Sequence, residues 1–178
     1  LVAQLGITRD TAVEKTYQAK VQASVKEFGA KVAAADVTVA TNFVSYGIST
    51  ATIKLGSGER LALVRDQLET LGKVSLTALE QIASGQKPTE RNLTKERAQV
   101  TKVLNVFAKI ANVAKPDFKN AKQDLAWNTM MYRIRFARDL NKEKTGIVKF
   151  KQVFKYTPKS PLDWAAVKPL RLFIQLVP

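Results

Sequence analysis

The residue types that could do chemistry are few, and their spacing decides how far each can be taken. Ser84-Gly-Gln-Lys87 and Lys144-Thr-Gly146 match the SxxK and KTG elements of serine acyl-transfer sites in the right order, but no SDN element lies between them and the serine falls at a helix end. The pair is read as a chance match. Gly56-Ser-Gly58 lacks the GxxxxGK[ST] spacing of a phosphate loop and reads as a turn between helices. Asp139 and Glu143 share a helix face with Arg135 and Lys142 nearby, which is a solvated charge cluster and not two carboxyls with separated pKa values. Asn92-Leu-Thr94 is a formal glycosylation sequon whose better-supported role is helix capping.

The chain contains no Cys and no His, which excludes disulfides, thiolate chemistry, zinc sites built on those ligands and imidazole acid/base catalysis. No catalytic residue, metal ligand or cofactor site is assigned, and the expectation is a protein that is not an enzyme. The lack of Cys does not place the chain in a compartment. It begins at Leu1 and not at Met, which points to a processed or trimmed N terminus. The longest uncharged run, Val37 to Ile53, is too short and too polar for a membrane span, so no transmembrane segment is expected.

What the composition does carry is charge. There are 29 Lys and Arg against 15 Asp and Glu, a net of +14. The excess is uneven. Residues 1–100 hold 13 basic and 10 acidic residues, whereas residues 101–178 hold 16 and 5. In the first part opposite charges sit at helix-neighbour spacing, as in Glu27 with Lys31 and Glu69 with Lys73. In the second the bases lack such partners: Lys115, Lys119 and Lys122 cluster at a helix start, Arg133, Arg135 and Arg138 lie on one predicted helix, and Lys149, Lys151 and Lys155 line one face of a predicted strand. Tyr132 and Phe136 interleave with the arginines, as phosphate contact plus stacking would need, and equally as a core-facing stripe would give. The lysine face fits anion docking and also fits an edge strand guarded against aggregation.

The elements that must position these groups are mainly helical. A capping box Thr11-Ala-Val-Glu14 predicts a first helix to about Ala35, with Val13, Tyr17, Val21, Val25 and Phe28 as its stripe. Asp36 is placed to cap a second helix through residues 37–53, although its β-branched content also suits a strand. Leu61, Val64, Leu68, Leu71, Leu76, Leu79 and Ile82 predict one long helix with a kink at Gly72. A fourth, capped by Asn92 or Thr94, carries Val100, Val103, Leu104, Phe107 and Ile110 and stops at Pro116. A fifth runs from Phe118, behind an Asp117 cap, to about Lys144, with Gly146 closing it.

Beyond Gly146 the pattern changes to alternation: Val148, Phe150, Phe154 and Tyr156 predict a strand, Ser160-Pro161-Leu162-Asp163 a capped short helix, and Leu170 to Val177 a second strand. The expected architecture is therefore a bundle of about four to five helices over residues 1–146, with a mixed two-strand tail at 147–178 packed on the bundle or on a partner. Trp164 and Phe173 are its candidate interface anchors. Together with the basic residues this predicts a structural or assembly subunit that docks on other subunits of a larger assembly, on nucleic acid, or on an acidic protein or membrane surface. The alternative is a dedicated helical nucleic-acid-binding protein without sequence specificity. No helix-turn-helix or RNA-binding aromatic signature is legible.

Overall fold

The first helix, α1 (Thr11–Glu27), starts one residue earlier than a Thr11 cap would give. Asp10 is the N-cap, and its carboxylate accepts from the N–H groups of Ala12 and Val13, which leaves Glu14 free for a different task. The computed structural model of the chain describes residues 6–84, 86, 88–114, 117, 119–123, 140–160 and 162–167. It divides into two compact units, Leu1–Asn92 and Leu93–Pro178. Helix dominates throughout, and no strand occurs among the described residues.

In the first unit α1 ends at Glu27 and not near Ala35, because Gly29 takes a left-handed φ of 59°. The uncharged run is helical but broken: α2 (Ala34–Tyr46) stops at Gly47, and a single turn, α3 (Thr50–Ile53), follows behind a Ser49 cap. Gly47 sits at φ 74°, and a Cβ there would lie 2.9 Å from Thr52 Oγ1. Only glycine fits. Asp36, expected as a cap, lies inside the first turn of α2, with Ala33 at the cap position. The expected long helix is two helices, α4 (Ser57–Leu71) and α5 (Leu76–Ala83). Gly72 ends α4 in the left-handed conformation, and the Ser75 hydroxyl starts α5 by accepting from the Ala78 N–H.

Helices α1, α2 and α4 pack on one another, and α3 packs on α5. Val21, Phe43, Val44, Leu63, Val64, Leu68 and Leu79 are buried. The polar ties of this unit are specific. Arg9 grips Glu14 through two bonds of 2.7 Å, and the Tyr46 hydroxyl donates to the same carboxylate, joining the start of α1 to the end of α2. These bonds hold the Glu14 carboxyl down at about 2. Arg65 of α4 forks onto Glu27 of α1 at 2.8 Å on both arms and lies 4.9 Å from the Phe28 ring. Arg60 is buried and donates to the carbonyls of Val44, Ser45, Thr52 and Leu55 and to the Ser57 hydroxyl, so one guanidinium closes the carbonyl ends of two helices. Burial lowers its pKa, yet a guanidinium stays charged in a protein.

In the second unit the long helix α6 (Leu93–Ala111) buries the expected stripe of Val100, Val103, Leu104, Phe107 and Ile110. Asp117 accepts from the Lys119 N–H, and Asn120 accepts from Lys122 and Gln123 at a helical turn over 121–123; the expected fifth helix over 124–139 lies outside the described residues. The main correction concerns residues 140–154. They form one helix, α7 (Leu140–Phe154), so Gly146 lies within it and the strand expected over 148–156 is absent. Glu143, Ile147, Phe150 and Phe154 recur at helical spacing, and this stripe, not the alternation, meets α6. Phe150 is fully buried, 4.7 Å from the Phe154 ring and 5.2 Å edge-on from Tyr156.

A short helix at 162–167 completes the described core with Ala166 and Val167. Its cap is as expected: the Ser160 hydroxyl accepts from the Asp163 N–H, while the Asp163 carboxylate accepts from Ser160 and Lys159. Burial works against the Asp163 charge, but these N–H donors and the Tyr156 hydroxyl outweigh it and keep its carboxyl below the usual range. The second expected strand, 170–177, lies outside the described residues.

Candidate anion-docking surface

The two units differ sharply in charge. Residues 1–92 hold 11 Lys and Arg against 9 Asp and Glu, and residues 93–178 hold 18 against 6. The first unit engages Arg9, Arg60 and Arg65 internally, and most of the excess falls on the second.

Helix α7 shows where much of it lies. At about 100° per residue, its buried stripe of Glu143, Gly146, Ile147, Phe150 and Phe154 covers less than half of the circumference. The remaining arc, of roughly 200°, carries Lys144, Thr145, Val148, Lys149, Lys151, Gln152 and Val153, all exposed. The one acid of α7, Glu143, is buried, so this outward arc holds lysines and no carboxylate. Lys144, Val148 and Lys151 fall on one ridge at spacings of four and three, and Lys155 follows the last helical residue in a left-handed conformation with φ 63°. Val148 is 55% exposed among these lysines.

Helix α6 contributes a second basic line. Lys95, Lys102 and Lys109 are spaced by seven, which returns each to the same side of the helix, and all three are exposed. Its acid, Glu96, is buried.

The expected site residues fare differently. Lys149, Lys151 and Lys155 lie on and just beyond a helix, so they do not guard a sheet edge; Lys151 and Lys155 share one side of it, and Lys149 lies about 160° around from Lys151. Lys119 is exposed at the turn before 121–123, and Lys122 is exposed within it. Trp164 is half-buried on the short helix at 162–167. Lys115, Arg133, Arg135, Arg138 and Phe173 lie outside the described residues. Lys144, Thr145, Val148 and Gln152 were not among the expected site residues. Their signal is helical spacing, which the alternation of Val148, Phe150, Phe154 and Tyr156 hides.

As for catalysis, Ser84 is the C-cap of α5, its N–H bonded to Glu80, and Lys144-Thr145-Gly146 is a stretch of helix interior. The Ser49 hydroxyl donates to Glu80 at 2.9 Å and also accepts from the Thr52 N–H, a tie between α3 and α5 with no imidazole to activate it. Among the described residues no group of Asp and Glu is arranged to hold a metal ion, and no helix is long and apolar enough to cross a membrane. The arrangement offers charge and shape. No family model, no curated protein and no solved structure matches this chain.

Proposed function

We propose that the protein is a non-enzymatic docking or assembly subunit, which attaches to a polyanionic or acidic surface through its second unit. The supporting observation is the outward arc of α7, where three lysines and two valines face water with no carboxylate among them, and Lys155 follows just beyond. Exposed lysines without acids raise the local potential, which increases the rate and strength of encounter with a polyanion. On this reading the first unit is a rigid scaffold.

Chromatography of the intact protein on immobilised heparin tests the reading. The Lys144→Gln, Lys149→Gln, Lys151→Gln, Lys155→Gln variant should elute at clearly lower salt than the parent, with unchanged helicity by circular dichroism. Elution of the two proteins at the same salt would overturn it.

A further inference from the structure

The second unit presents a helix whose exposed side has the layout of a groove-reading helix. The middle of the α7 arc is not apolar, as a membrane-lying helix would require, nor uniformly charged. Besides Asn141 near the start of the helix, it carries Thr145, Val148, Lys149 and Gln152, at spacings of three, one and three, which bring all four onto one stripe. These are side chains suited to base edges: an amide that pairs with adenine, an ammonium for guanine, and methyl groups for thymine. Lys144 and Lys151 flank the stripe on one side, with Lys155 at its end, as phosphate contacts beside a groove would be.

We propose that α7 enters the major groove of duplex DNA, with Thr145, Val148, Lys149 and Gln152 toward the base edges and Lys144, Lys151 and Lys155 on the phosphates. This rests on the docking reading above and names its polyanion. Size agrees: a helix about 10–12 Å across enters a groove about 12 Å wide when more than half of its circumference is free, as it is here. Charge agrees as well, since the arc carries lysines alone. The same geometry rejects duplex RNA, whose major groove is too narrow and deep for a helix. Val148 then has a role, as an apolar contact on the groove floor, whereas binding to a bilayer of anionic lipid would leave Thr145 and Gln152 without one.

The test uses the intact protein, a fluorescent random-sequence 20-bp DNA duplex, an RNA duplex of equal length, and vesicles of phosphatidylcholine with phosphatidylserine. DNA affinity should fall linearly with salt on logarithmic axes, and Lys151→Gln with Lys155→Gln should reduce the slope by about 2, one counterion set for each lost phosphate contact. Selection from a pool of random duplexes should enrich a motif, and Thr145→Ala with Gln152→Ala should change that motif while leaving the salt slope unaltered. The inference fails if RNA binds as tightly as DNA, if vesicles bind and DNA does not, if the lysine variant keeps the parental slope, or if no motif is enriched. Binding of RNA or vesicles through the same lysines would sink the groove assignment and spare the docking reading. Absence of binding to all three probes and to heparin would end both.

Discussion

Val148 and Phe150 are two residues apart, and together they decide how residues 140–154 are built. In a strand both would face the same way; in α7 they lie about 200° apart, with Phe150 fully buried and Val148 more than half exposed. Phe150→Ala removes a ring from the buried cluster that includes Val100, Val103, Leu104 and Phe107 of α6, together with its contacts at 4.7 Å to Phe154 and 5.2 Å to Tyr156. Truncation of a buried phenylalanine costs about 3–5 kcal/mol. For a unit of under 100 residues that lowers the melting midpoint by well over about 10 °C. Val148→Ser should stay within about 0.5 kcal/mol of the parent, apart from a small loss of helix propensity. The assay is urea unfolding followed by tryptophan fluorescence. Trp127 and Trp164 are the only tryptophans and both belong to residues 93–178, so their emission reports the second unit alone while far-ultraviolet circular dichroism reports both. A Val148→Ser cost above about 1.5 kcal/mol, or a Phe150→Ala cost below about 1 kcal/mol, would refute the helical placement.

Two predictions concern the first unit. The Glu14 carboxyl is held at about 2 against an ordinary 4.5, so it contributes stability above pH 4.5 that is lost as pH falls toward 2. Glu14→Gln should therefore flatten the fall in thermal midpoint between pH 5 and pH 2 measured by circular dichroism, and a parallel pair of curves would count against the Arg9 and Tyr46 bonds as its cause. Arg60→Ala should destabilise the unit by at least about 3 kcal/mol, because it leaves several buried carbonyls without donors. Arg60→Lys should recover less than half of that loss in urea unfolding, since a single ammonium cannot span the same set of carbonyls; full recovery would mean that charge alone suffices.

Much of the fold is legible wherever a single apolar stripe dominates. The α6 stripe from Val100 to Ile110 is buried as its spacing predicts, and the Ser160 and Asp163 cap forms as the motif predicts. The uncharged run 37–53 is helical despite its β-branched residues, because Ala40, Phe43 and Val44 face α1 and α4 in the core. Backbone conformation was harder to read. Gly47 and Gly72 end helices at φ 74° and 69°, where hydrophobic spacing alone carries on through them. Residues 148–156 misled for a physical reason: aromatic and β-branched residues at 148, 150, 154 and 156 satisfy a period of two, and the set 143, 147, 150 and 154 satisfies 3.6 just as well. Burial against α6 chose between them. The excess charge of the C-terminal part was legible as a number, but not its surface, because Lys144, Thr145 and Gln152 join Lys149 and Lys151 only once the segment is a helix.

The α7 lysines can finally be weighed against what the fold itself would ask of them. Lys151 sits in the last turn and Lys155 just beyond, where a cation gains about 0.3–1 kcal/mol from the helix carbonyl end, against about 0.2–0.5 kcal/mol of repulsion between that pair. Their presence can be accounted for by helix stability alone. Lys144 and Lys149 cannot: they lie too far from the C terminus to feel the dipole, which fades within one turn, and the outward arc offers them no carboxylate at helical spacing. A scaffold like the first unit, where Arg9, Arg60, Arg65 and Lys73 each have a partner within the unit, shows how this chain places cations when their task is internal. Lys144 and Lys149, with Val148 exposed between them, follow a different rule, which is what the proposed docking role asks of them.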